Sequence, residues 1–193
     1  MAGPYATIRL TDQMFLQARA AWGRSSNEVS PFLTYTDSFD STRWLVSSSL
    51  TGRWNFGPWT VKPTASIAYL EDASDSYKDT YGVTIPGVTS KLGQAKIGPE
   101  FSYRFEQAHG SVIEPHAGVQ LIWNFAGGTT AAGVGALNGD QAGPTGTRGR
   151  IELGVTSTTP SGIGLDITGS YDGIGASGYN GELAGWLAQK IKG

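Results

Sequence analysis

The sequence has no cysteine, two histidines and no uninterrupted apolar run near the ~18–20 residues that a membrane-spanning helix needs. The first absence excludes disulfides and thiolate metal sites. Without cysteines beside them, the isolated His109 and His116 suit hydrogen-bonded structural roles, so no metal and no cofactor are expected. Acidic and basic side chains nearly cancel, with a formal net charge of −2, which excludes the basic footprint of a nucleic-acid-binding protein. No N-terminal signal peptide is visible, because Met1 is followed at once by a strand-like segment.

Present instead are 28 glycines among 193 residues, about twice the usual ~7% share, and a persistent period of two. In residues 91–106, Gln94, Lys96, Glu100, Ser102, Arg104 and Glu106 alternate with Ala95, Ile97, Pro99, Phe101, Tyr103 and Phe105. After a polar connection, residues 112–125 repeat the pattern, with Glu114, His116, Gln120 and Asn124 set against Ile113, Ala117, Val119, Leu121, Trp123 and Phe125. Each segment outlasts the ~5–6 residues of an ordinary strand and suffices for the ~9–11 tilted residues of a transmembrane one. Alternation alone does not say which face meets water. The aromatics do, because they gather at both ends of the apolar face, where headgroups would lie.

Taken in order, the chain predicts nine strands: residues 4–10, 13–22, 43–56, 59–70, 91–106, 112–125, 147–158, 163–171 and 179–192. Loops are expected at 23–42, 71–90 and 126–146, the last rich in glycine. Short and long connections alternate, as in outer-membrane barrels with short periplasmic turns and longer outer loops. The expected fold is all-β, an antiparallel up-and-down transmembrane β-barrel formed by a single domain over residues 1–193. Nine strands cannot close an antiparallel ring, so strands missing upstream, or an open ring, are expected.

The alternation assigns Arg9, Arg19, Arg43, Arg53, Lys62, Lys96, Glu100, Arg104, Glu114, Arg150, Glu152, Asp166 and Glu182 to a polar lumen. Mutual pairing across strands is the simpler role for any one of them, and contact with a translocating segment or plug helix the sharper one. A lipid-facing girdle is expected from Trp22, Trp44, Trp54, Trp59, Tyr69, Tyr103, Phe105, Trp123, Phe125 and Tyr171. Pro63, Pro99 and Pro115 fall inside strands, where each deletes a ladder donor, and bulges or register changes are expected there. The run Gly173-Ile174-Gly175-Ala176-Ser177-Gly178 spells a dinucleotide fingerprint, but a strand follows where that site needs a helix. Glu152 and Asp166 have no nucleophile near them in any motif, and no enzyme is expected.

The order of motifs resembles the translocator β-domain of autotransporters, the type V secretion barrel. The resemblance rests on Gly3-Pro4-Tyr5, Ala18-Arg19-Ala20-Ala21-Trp22-Gly23, and Tyr35-Thr36-Asp37-Ser38-Phe39-Asp40 leading into Arg43-Trp44-Leu45. It continues through Gly98-Pro99-Glu100-Phe101-Ser102-Tyr103-Arg104-Phe105 and Ile113-Glu114-Pro115-His116-Ala117-Gly118. The resemblance implies a barrel of about twelve strands in the bacterial outer membrane, inserted by the outer-membrane assembly machinery. It also implies a passenger polypeptide encoded upstream, which the barrel translocates or anchors. On that pattern this chain lacks the first strands, the linker helix and the passenger, and is a processed or truncated piece. Its ending, Ile191-Lys192-Gly193, departs from the aromatic terminus usual in such barrels. Different readings of the same alternation are a passenger-less porin or adhesion barrel and a soluble ligand-binding β-barrel.

Overall fold

The computed structural model describes residues 1–30, 33–131, 145–175 and 180–189. Strands β1 (Tyr5–Arg9), β2 (Met14–Val29) and β3 (Asp37–Gly52) are followed by β4 (Trp54–Phe56), which continues β3 after a break at Arg53. Then come β5 (Trp59–Ser74), a small hairpin of β6 (Tyr77–Lys78) and β7 (Thr84–Ile85), and β8 (Val88–Tyr103), continued past Arg104 by β9 (Phe105–Glu106). The chain goes on through β10 (Val112–Ala131), β11 (Gly146–Thr158), β12 (Ile163–Ile174) and β13 (Asn180–Gln189). Every long strand pairs antiparallel with its sequence neighbour, in the order β1-β2-β3-β5-β8-β10-β11-β12-β13. The path is a meander of nine long strands, and among the described residues β1 and β13 have no second neighbour, so the sheet is not closed.

The strands run past the bounds that alternation suggests. The β2–β3 ladder continues from Trp22↔Trp44 out to Val29↔Asp37, through residues expected as loop. Here Arg24, Ser25, Ser26 and Asn27 are polar on both faces, so no period of two is left to read. Likewise β5 reaches Ser74, β8 starts at Val88 and β10 reaches Ala131. Residues 132–144, most of the expected third loop, lie outside the described set, as do Gly178 and the terminal Ile191, Lys192 and Gly193. The tight turns at residues 10–13, 57–58, 107–111 and 159–162 all lie at one end of the sheet, and the longer connections at the other.

Each strand proline sits at an opening in one ladder. Pro63 lies where the β3 ladder stops at Thr51↔Thr64 and β4 resumes at Trp54↔Val61. Pro99 lies where the β8–β10 ladder skips from Gly118↔Glu100 to Leu121↔Ile97, and Pro115 where the partner chain breaks between β8 and β9. Contrary to expectation, pairing resumes in the same register, so the missing donor is absorbed by a gap without a bulge. The amides of the two broken strands turn elsewhere: Arg53 N donates to Gln13 O and Arg104 N to Pro58 O, both at 2.8 Å. Two register shifts do occur away from the prolines, one between Gly149 and Arg150 against β12 and one between Asn124 and Ala126 against β8, the latter at Phe125, whose ring occupies the space a side chain at Gly93 would need.

The two faces have opposite environments. Phe101, Leu121, Ile151 and Ile167 are 43%, 53%, 40% and 46% exposed. Among the described residues, the buried ones other than glycine, Ala21, Thr60, Ser102, Ile122, Asn124 and Asp172, belong by register to the other, polar face, whereas on the apolar face Gly52 and Gly93 are buried, each under a neighbouring ring. A sheet that shelters its polar side and bares its apolar side is curled with the polar face inside. This is the inverse of a soluble barrel.

Substitution on the two faces is accordingly expected to differ. Ile97→Arg, on the outward face between Ala65 and Leu121, should cost about 2–4 kcal/mol. Thr64→Arg, on the inward face, should stay within ~0.5 kcal/mol. Urea unfolding from lipid bilayers, followed by heat-modifiable gel mobility, measures both; equal losses would refute the inverted orientation.

Candidate functional site: a polar inner face and an aromatic-bounded apolar band

Along β5 the outward positions run Trp59, Val61, Pro63, Ala65, Ile67 and Tyr69 with no charge among them. Ten residues of strand span about 33 Å, or roughly 23 Å of height at a tilt near 45°, close to the ~25 Å apolar band of outer-membrane barrels. Charge returns to this face immediately beyond the band: the Tyr69 hydroxyl donates to Glu71 at 2.6 Å, and Lys91 Nζ lies 3.5 Å from Glu71 Oε2. Past Trp22 and Trp44, Arg24 likewise pairs with Asp40 at 2.6 Å on the same face.

Aromatic rings mark both limits. At the long-loop end Trp22 meets Trp44 at 6.1 Å and Trp123 meets Phe125 at 5.4 Å, with Tyr69 and Tyr171 on the same line. At the short-turn end Trp59 packs edge-on to Tyr103 at 4.9 Å and Tyr103 against Phe105 at 4.4 Å, with Trp54 over Gly52 beside them. Phe56, opposite Trp59 and outward by alternation, also belongs to this rim, beyond the expected girdle. The outer line crosses the hydrogen-bonded rows obliquely: Trp44 lies in the row of Lys91, and Tyr171 in the row extrapolated to Pro99. That drift is about 26 Å along the strands over about 24 Å across them, a strand tilt of about 45°.

The inner face gathers most of the charged residues expected there. Lys62 Nζ bonds Glu100 Oε1 at 2.6 Å across β5 and β8. Arg43 pairs with Asp72, and Arg150 Nη2 bonds Asp172 Oδ2 at 2.7 Å. Ser102 Oγ donates to Glu114 Oε1 at 3.0 Å, while Asp166 accepts from Thr156 at 2.7 Å and Thr168 at 3.0 Å. His116 Nε2 lies 3.3 Å from Thr168 Oγ1 and fills the space over Gly154. Arg53, Lys62, Glu100, Ser102, Glu114, His116 and Thr156 together line a polar cavity of ≈230 Å³.

Arg9 and Arg104 are placed differently from the rest, at the short-turn rim, where they bond Asp12 at 2.8 Å and Glu106 at 3.0 Å. Arg19, Lys96 and Glu152 lie on the inner face by register, opposite Ser47, Ser66 and Ser170. Glu182 pairs with Ser170 along the backbone, and its side chain is outside the described set. Asp72 and Asp172 escape the sequence reading, and Arg148, which alternation sets on the polar face beside Arg150, joins the expected lumen residues. Both aspartates keep the inward phase but follow Leu70 and Tyr171, where the strands were expected to end.

At the long-loop end, the β6–β7 hairpin folds against the inner side of β3. Tyr77 stacks on Phe39 at 5.4 Å, Tyr81 meets Tyr35 edge-on at 5.2 Å, and Thr80 Oγ1 donates to Asp37 Oδ1 at 2.8 Å. Burial in this cluster, then the charges of Asp79 and Asp37, raise the Tyr35 phenol above its ordinary range, so it stays protonated. In the fingerprint-like run, Gly173 and Gly175 adopt positive φ at the end of β12, and residues 176–178 are outside the described set.

Comparison with known proteins bears on the same features. The chain is similar in structure to the beta domain of the Bordetella autotransporter BrkA, with a TM-score of 0.53 and 17% identity, covering 96% of this chain and 69% of that one. At that identity the likeness concerns the fold. No match was found among curated proteins. The profile of the autotransporter beta-domain matches residues 1–172, from before β1 into the last turn of polar face on β12 that holds Asp172. A profile spanning nearly the whole of this inverted, aromatic-bounded sheet makes the chain a member of the autotransporter beta-domain family, the outer-membrane β-barrels of Gram-negative bacteria.

Proposed function

We propose that residues 1–193 form a single barrel domain that carries a passenger polypeptide, encoded upstream, across the outer membrane or anchors it at the cell surface. The family is one of translocator barrels rather than enzymes. The observation that carries the reading is the paired arrangement of an uncharged outward band and a sheltered, hydrogen-bonded polar interior. The band supplies a wall whose backbone groups are satisfied where water is absent. The interior offers a passing chain alternate charges and hydroxyls in place of water.

On this reading, Arg19, Arg43, Arg53, Lys62, Lys96, Glu100, Glu114, Arg150, Glu152 and Asp166 line the lumen, with Glu182 joining them from β13 and Arg9 and Arg104 at its periplasmic rim. The girdle residues seat the barrel between two headgroup layers. Since β1 and β13 run the same way in an antiparallel meander, an odd number of further strands closes the ring. Insertion is by the outer-membrane assembly machinery.

Surface proteolysis of intact cells tests the transport role. The upstream polypeptide is expected to be digested from outside when the barrel is present and to stay out of reach when the barrel is deleted; its absence from the surface in both cases would instead favour a passenger-less porin. The lumen assignment is tested by charge exchange. Glu100→Lys should lower stability by about 1 kcal/mol by opposing two cations, and the double variant Lys62→Glu/Glu100→Lys should recover it, as read by urea unfolding in bilayers.

A further inference from the structure

On the inner face, near the outer aromatic line, two guanidinium groups share one carboxylate and a lysine stands two strands away. Arg148 Nε bonds Asp172 Oδ1 at 2.6 Å and Arg150 Nη2 bonds Asp172 Oδ2 at 2.7 Å. All three side chains are largely sheltered, Asp172 the most. Two strands across, in the same row as Arg148, Lys96 is within electrostatic reach of Arg150, Arg148 and Asp172, and no salt bridge to it occurs among the described residues. Register places the completely buried Ile122 between Lys96 and Arg148, so the cations stand over an apolar floor. The amides of Gln94 and Asn124, bonded to each other at 2.8 Å, lie in the next row.

Glu152 and Glu182, the inward carboxylates of the neighbouring strands, share the row of Gly118 and Ser170 by register, four residues of β10 away from the Lys96 row. The cluster therefore carries an excess of two positive charges in a place where water is partly excluded. Cations gathered there repel one another, and a ligand carboxylate relieves that repulsion more effectively than it would in open water. Guanidinium groups already oriented by Asp172 lose little freedom when they accept a further carboxylate.

We propose that Lys96, Arg148 and Arg150 form a docking site for the carboxylate side chains of a polypeptide segment lying in the lumen. This rests on the translocator reading above and names the chemistry of the segment held: acidic residues at the level of the outer headgroups. A polypeptide is favoured over a free anion because the cations are spread over two strands with backbone-competent amides beside them, which suits several carboxylates on one chain.

The test uses the full chain folded in detergent micelles at low ionic strength, titrated with a short glutamate-rich peptide or a lysine-rich one, each bearing an uncharged fluorophore. Anisotropy is expected to show tighter binding of the glutamate peptide. Lys96→Gln should weaken it about tenfold, while Lys78→Gln, which removes the same charge from the outer hairpin, should change it less than about twofold. Equal binding of both peptides, equal loss in both variants, or full displacement by inorganic phosphate at the peptide's own concentration would each overturn the proposal.

Where Lys96→Gln fails to show the heat-modifiable mobility of a folded barrel, the absence of native cysteine permits a second measurement. A thiol at Gln120→Cys, in the row between Gly98 and Arg150, should favour a sulfonate over an ammonium thiosulfonate reagent about tenfold relative to one at Gln107→Cys in a short turn. An unchanged ratio would overturn the site. Cells that display the upstream polypeptide without this preference would leave transport standing and remove the acidic docking; the converse result would separate the two the other way.

Discussion

No water is available at hydrocarbon depth to complete the hydrogen bonding of an exposed peptide group, and each one left open there costs several kcal/mol. Much else in the structure follows from that constraint. It explains why the nine long strands meander between immediate neighbours, since only adjacent antiparallel pairing satisfies every amide locally. It also explains the placing of the prolines. Each lacks a donor, and each lies at a local opening of one ladder while the opposite ladder remains intact, as in the direct pairing Pro63↔Pro99 and Pro115↔Val155. The interruptions at Arg53 and Arg104 direct those two amides to turn carbonyls instead.

The same constraint fixes what each face does. Once the backbone is internally satisfied, the outward side chains need only be apolar between the aromatic lines, and small residues such as Ala65 and Ala95 serve beside Ile67 and Ile97. The inward side chains must satisfy one another in a confined space. Charges there come in cross-strand pairs, Lys62 with Glu100 and Arg43 with Asp72, or lean on hydroxyls, as Asp166 does on Thr156 and Thr168. Glycines allow rings to lie flat over the sheet on either side, Phe125 over Gly93 outside and His116 over Gly154 inside.

Alternation made the membrane-embedded part of the fold legible, because there the two faces meet different media and each residue must declare its side. For the same reason it separates most of the charged side chains from the aromatic rings, on opposite faces of the sheet. Beyond the membrane both faces meet water, the contrast vanishes, and the outer halves of β2 and β3 looked like loop. Asp72 and Asp172 lie past the expected ends of β5 and β12, although their phase is the inward one. The hairpin of β6 and β7 has two-residue strands, too short to show any period. Its contacts with Phe39 and Asp37 are tertiary and left no local trace.

The extension of β2 and β3 has a mechanical consequence. Seven rungs beyond Trp22↔Trp44, the ribbon still pairs at Val29↔Asp37, a rise of about 16 Å at the tilt found here. On the translocator role proposed above, a polypeptide leaving the molecule would be released from a paired rim standing above the headgroups, rather than at the lipid surface itself.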